Sequence, residues 1–291
     1  MSEKPVARVG DKTECPDHEY LIIPHFGGPL SNAQPVCMEA NGKRVIRLAD
    51  YGHCFVGPFD VVFEGAATVV LCGLPVARKD DHMAHGGKII EGSPNIVIGG
   101  PTFSLPKNMT VNGPADFRNK TIRDLYLLST TPTGKTVFAE FDKTGGAEVE
   151  IVPETDPHNS FCTPLGGGNS RVNYNPDVAI YGYGQADPTK QIPLEPTTVF
   201  GHELVHAYNN ATGTALSGNE PGTGPASQPN IEREEEITIG TGNYNGRSPS
   251  ENSFRDDLGL PRRDNHYGTG EDASGADMTT PPSDIRPGAC K

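Results

Sequence analysis

His202, Glu203 and His206 stand in "TVFGHELVHAYNNATG" (198–213) at the spacing His-Glu-x-x-His. On a helix, residues four apart share a face, so both imidazoles reach one metal ion while the glutamate between them stands beside it. A catalytic zinc takes three protein ligands and keeps one position open. Glu203 in that setting is a general base, taking a proton from water and passing it to a leaving amine. The pattern therefore points to metal-assisted hydrolysis of a peptide bond. A third ligand is required, and Glu232, Glu234, Glu235 and Glu236 of "IEREEEITIG" (231–240) stand about thirty residues downstream.

A second constellation lies near the N-terminus. "VARVGDKTEC" (6–15), "VIRLADYGHC" (45–54) and "VARKDDHMAH" (76–85) align on Arg8, Arg47 and Arg78, then on Asp11, Asp50 and Asp81, and end on Cys15, Cys54 and His85. Strand-like runs closed by turn residues separate the copies. Units this short cannot each bury a face alone, so they are expected to wrap into one all-β body with a pseudo-threefold repeat, bringing the three terminal residues together. Two thiolates and an imidazole suit a tetrahedral zinc, with His18 as the fourth ligand and His53 and His82 as competitors in the same loops. In a small domain such a metal contributes directly to folding.

The elements that must position the first cluster are legible in part. Pro196, Thr197 and Thr198 predict a helix start with a capping hydroxyl. Phe200, Leu204, Ala207 and Ala211 form its apolar face, and Gly213 supplies the stop. Upstream, "KTIRDLYLLSTTPTGKTVFAEFDKTGGAEVEIVPE" (120–154) reads as a helix start or strand followed by a hairpin, with turns at Pro132–Gly134 and Gly145–Gly146. "GGGNS" (166–170) reads as a turn, and "ALSGNEPGTGPASQPN" (215–230) as a polar loop, either a lid over the cleft or, more simply, a disordered stretch. Texture changes near residue 105, which predicts domains at 1–104 and 105–267 followed by an unstructured tail at 268–291.

Composition narrows the classes. A formal net charge of −13 argues against nucleic acid as a partner. No apolar run is long enough for stable membrane insertion, and the start lacks the apolar core of a signal peptide. Six cysteines at irregular spacing do not describe a secreted disulfide scaffold.

With their "VAR-x-GD" phrases and the "EGSPN" turn (91–95), residues 1 to about 100 resemble the PAAR domain, which caps the spike of the bacterial type VI secretion system. That resemblance implies a conical strand-rich domain, a zinc site near its tip and a trimeric VgrG-like spike protein as partner. The middle copy departs from the family phrase, with "RLAD". "GHELVHAYNNATG", "EEEITIG" and "ENSFRDDLGLPRRDNHY" together resemble the effector metallopeptidase family M91. This second resemblance implies an α+β zincin-like domain with Glu235 as the third zinc ligand, Glu234 in reserve. Tyr267 is a candidate oxyanion donor, rivalled by His266 and Arg255, and Asn252 and Arg255 brace the site. The chain so read is a type VI effector, made in the bacterial cytoplasm and secreted into a target cell, with two zinc ions, a protein substrate and an immunity protein. The alternatives are a spike-tip adaptor with an inactive C-terminal domain, and a zinc hydrolase of the cell wall.

Overall fold

The computed structural model describes residues 3–19, 23–31, 38–57, 59–217, 219–221 and 230–266. They fall into two compact units, residues up to 105 with 113–126, and residues 106–112 with those from 127 onward. Tyr267 and the tail at 268–291 lie outside the described residues, as does the side chain of His18.

The first unit is rich in short strands, including Phe26–Ser31, Tyr51–Phe55, Gly65–Leu71 and Leu74–Val76. Its core is a ring of backbone hydrogen bonds between the three sequence copies. Ala7 N–H donates to Ala77, Ala77 to Ile46 and Ile46 to Ala7, over 2.9, 2.9 and 3.0 Å. All three residues are fully buried, among Leu30, Val62, Met83 and Ile89.

Each copy then turns in the same way. The aspartate carboxylate accepts the backbone N–H of the arginine three residues earlier, at 2.9 Å in every case, and pairs with its guanidinium. The residue before the aspartate has positive φ, 87° at Gly10, 64° at Ala49 and 67° at Asp80. Glycine fills that conformation without strain, whereas alanine bears a steric cost of roughly 1 kcal/mol. The departures of the second and third copies from the glycine phrase, at Ala49 and Asp80, are thus local strains within an unchanged turn.

In the second unit a four-stranded mixed sheet runs in the order Met109–Val111, Val149–Pro153, Asn169–Tyr174, Phe161–Gly166. Glycines 166, 167 and 168, all at positive φ, make the turn between its last two strands. A separate hairpin pairs Ile180–Gly184 with Asp187–Leu194. The helices are α1 (Ala115–Thr130), whose residues up to 126 belong to the first unit, and, in the second, α2 (Pro132–Phe141), α3 (Pro196–Thr212), α4 (Arg233–Ile239) and α5 (Glu251–Leu258).

The stretch read as a hairpin around Pro132 is two helices. Thr131 caps α2 by accepting Gly134 N–H at 2.9 Å, and Pro132 opens it. Gly134 serves close packing, since a Cβ there would stand 1.9 Å from Leu128 O. Proline followed by glycine reads equally as a turn or a helix start, and the threonine cap decides.

Helix α3 is the central element. Leu204, Ala207 and Phe200 are fully buried, with the Phe200 ring stacked 4.2 Å from Tyr174 of the sheet. Gly201 faces α5 so closely that a Cβ would come 2.9 Å from the Phe254 ring. The helix stops at Gly213, φ 67°, as its sequence indicates. Its N-cap is Glu195, with no side-chain bond, rather than a threonine; Thr198 Oγ1 instead donates back to Glu195 O. Residues 219–221 and 230–232 of the polar loop pair as two short antiparallel strands.

Candidate metal centres

One turn of α3 separates His202 from His206, and their Nε2 atoms approach to 3.0 Å. Helix α4 delivers Glu235 to the same point. One carboxylate oxygen lies 3.2 Å from His202 Nε2, the other 3.4 Å from His206 Nε2. His266, beyond α5, adds a third imidazole 3.3 Å from Glu235 Oε2. Buried Glu235 Oε2 is thus near two ring nitrogens and yet forms no directional hydrogen bond. Lone pairs that crowd one point without satisfying each other fit a shared cation, and imidazole with carboxylate is a donor set suited to zinc. His202, Glu235 and His266 each offer a ligand atom within 4.8 Å of the others.

The far nitrogens of both α3 histidines meet carboxylates. His202 Nδ1 is 3.0 Å from Glu251, which is fully buried and also receives Arg255 Nε and Arg263 NH1, both at 2.9 Å. His206 Nδ1 is 3.3 Å from Glu234, itself held by Asn209 and by Leu216 N–H. Carboxylates in that position fix ring orientation and raise the basicity of the coordinating nitrogen. Glu234, the reserve ligand of the sequence reading, thus stands behind a histidine, and Glu235 is the carboxylate that faces both. Arg255 holds Glu251, and Asn252 holds the backbone of Arg263 from both sides, at 2.7 and 2.8 Å. Glu236 is buried in α4, and nothing is described of the Glu232 side chain.

Glu203 is buried at 6% exposure and lines a cleft of about 440 Å³ with both histidines, Glu234, Glu235 and His266. Burial pushes its carboxyl up to about 7, against the pull of His202 and His206. A carboxyl near neutrality can accept and return a proton, which general acid–base work requires. Burial also raises Glu235, but the adjoining imidazoles prevail and hold it well below the usual carboxylate range. The strand Phe161–Gly166, at the edge of its sheet, contributes Phe161, Cys162 and Pro164 to the cleft wall.

Glu251 and Arg263 escaped the sequence reading. The available signal was the i,i+4 spacing of Glu251 and Arg255 on α5, a helical ion pair whose far side meets α3.

In the first unit, Cys15, His25, Cys54 and His85 bring one ligand atom each within 4.8 Å of one another. The sulfurs of Cys15 and Cys54 are 3.5 Å apart as free thiols, and Cys15 Sγ lies 3.9 Å from His25 Nδ1 and 3.7 Å from His85 Nδ1. Among the described residues His25 is the fourth ligand-type group there; the side chain of His18, the expected fourth ligand, lies outside them. Gly57 makes room for His25, since a Cβ there would meet the His25 ring at 2.4 Å. Of the competitors, His82 faces Glu64 and His53 packs on Phe59. Burial pushes Cys54 up to about 12, with Cys15 adding to the rise, a cost to thiolate formation that a bound cation offsets. Two sulfurs not joined as a disulfide and two imidazoles converging on them fit a tetrahedral zinc.

Residues 106–267 match the family Peptidase M91, described as an effector protein, over more than half of the chain. The chain belongs to the M91 peptidase family. Residues 22–91 match the PAAR motif, so the M91 unit follows a PAAR unit in one polypeptide. No curated protein matches the chain. Solved structures with some likeness include the Clostridium botulinum neurotoxin serotype F light chain, at 16% identity and TM-score 0.35, covering 50% of this chain and 49% of that one. The botulinum neurotoxin serotype HA light chain gives 14% and 0.36, covering 50% and 48%. The M91 chain therefore spans about half the length of these structures.

Proposed function

We propose that the protein is a type VI secretion effector whose PAAR unit caps a trimeric VgrG-like spike and whose M91 unit is a zinc metallopeptidase acting on a protein of the target cell. The observation that carries the enzymatic reading is the meeting of His202, His206 and Glu235 at one point, with Glu203 buried beside them. His202, His206 and Glu235 would hold the catalytic zinc. Cys15, His25, Cys54 and His85 would hold a structural one that stiffens the tip of a conical unit. The closed ring of hydrogen bonds through Ala7, Ala77 and Ile46 and the three matching Arg–Asp turns support a pseudo-threefold plan for that unit.

When bound, zinc supplies a Lewis acid that polarises a peptide carbonyl and lowers the pKa of water. Glu203, buried beside the histidines, would take the proton of the attacking water and return it to the departing amine. Glu251 and Glu234 hold the two imidazoles in the orientation that turns each Nε2 toward Glu235. The edge strand Phe161–Gly166 lies along the cleft, where an extended peptide can add as a further strand and present its carbonyl.

Comparing the proteomes of recipient cells attacked with wild type and with Glu203→Ala tests this reading. Protein fragments that appear only with wild type are expected; sacculi degraded with the proteome intact would favour a cell-wall hydrolase. A producer that kills itself when a neighbouring immunity protein is deleted would place the target among bacteria.

A further inference from the structure

We propose that His266 is a fourth, displaceable ligand of the catalytic zinc, which closes the site in the resting enzyme and yields its position to substrate. The proposal rests on the zinc peptidase reading of the same site. His266 Nε2 lies 3.3 Å from Glu235 Oε2, and its ligand atom is within 4.8 Å of those of both His202 and Glu235. His206 Nε2 lies 3.0 Å from His202 Nε2 and 3.4 Å from the other oxygen of Glu235, so four candidate donors gather about the His202–Glu235 pair, the number a closed tetrahedral zinc uses. Hydrolysis needs an open position, so one donor has to leave.

The structure distinguishes which one. His202 and His206 are fixed in α3, each with a carboxylate behind its ring, and Glu235 is fixed in α4 between them. His266 stands outside any helix or strand and its side chain is 50% exposed. Its ring contacts are Glu235 and a loose stack on His202 at 6.2 Å. Its backbone, by contrast, is anchored, because Arg263 donates to the His266 carbonyl while pairing with Glu251, the carboxylate that orients His202. Asn252 in turn fixes Arg263. The main chain is thus tied to the network of the metal site, and rotation about the side-chain bonds of His266 is enough to open it.

The test uses the zinc-loaded full chain and His266→Ala, with His202→Ala as reference. Zinc release to an excess of chelator is followed, and the phase missing in His202→Ala is that of the catalytic ion. In His266→Ala that phase should speed up about tenfold or more. Acetohydroxamate, a small zinc-binding probe, should bind the variant severalfold more tightly, because no imidazole has to be displaced, and hydrolysis of an unfolded protein should rise. Unchanged release and unchanged acetohydroxamate affinity would overturn the proposal, and so would a fall in hydrolysis, which would assign His266 to the chemistry. If His202→Ala removes no zinc phase at all, the metallopeptidase reading itself fails, an outcome distinct from failure of the His266 role.

Discussion

The two clusters use overlapping ligand chemistry in opposite ways. In the PAAR unit, Cys15, His25, Cys54 and His85 come from four separate segments of chain, Cys54 from the strand Tyr51–Phe55, two of the four are thiols, and the histidines lie 3.8 and 3.9 Å from the carboxylates of Asp17 and Asp60. In the M91 unit, two histidines come from a single helix, each has a carboxylate behind it, and buried Glu203 stands beside the donors without being one. The first arrangement ties loops together. The second gathers its donors at the wall of a cleft, with a buried carboxyl beside them. The ligand count alone would not separate them; what surrounds the ligands does.

Removing a donor should break the comparison most visibly. Glu235→Ala is expected to lose the catalytic zinc and with it at least a hundredfold in hydrolysis, while the tip zinc remains. Glu234→Ala, one residue away, should keep the ion and weaken its binding by about ten- to a hundredfold, as a residue behind a ligand does. Metal content and chelator competition on both variants check this; full occupancy in Glu235→Ala would move the third ligand elsewhere.

His25→Ala sharpens the other side. It should lose the tip zinc and lower the melting temperature of the full chain, while the catalytic zinc and hydrolysis stay at wild-type level, because the two ligand sets share no residue. An unchanged metal content would return the fourth position to another residue.

The smallest expected effect concerns the Arg–Asp turns of the PAAR unit. Gly10 has φ 87°, and a Cβ there would meet only Lys43 Nζ at 3.7 Å, so Gly10→Ala changes backbone strain and little else. A loss of about 1 kcal/mol in the stability of the PAAR unit is expected in denaturant titration, with zinc content unaltered. No loss would mean that the turn relaxes.

The contrast also explains what was legible in the sequence. His202 and His206 are joined by helical geometry, which local spacing determines, and the stop at Gly213 and the apolar face through Leu204 and Ala207 follow from the same periodicity. The tip cluster is assembled across long stretches of chain. The repeat pointed to Cys15, Cys54 and His85 because equivalent positions converge, but His25 belongs to no copy, and its place depends on the room left at Gly57. Glu251 was hidden for a related reason. Its partner is 49 residues away on another helix, and only the packing of Gly201 against Phe254 brings α3 and α5 close enough. Pro132 misled because local turn chemistry is shared by hairpins and helix starts.

The central claim is that Glu203 performs chemistry without binding the metal. Purified Glu203→Gln keeps the size of the side chain and removes its basicity, so zinc content and hydrolysis of a protein substrate should be measured on the same sample. The account expects two zinc ions per chain, as in wild type, with hydrolysis reduced about a hundredfold or more. Hydrolysis at the wild-type rate with both ions in place would contradict it.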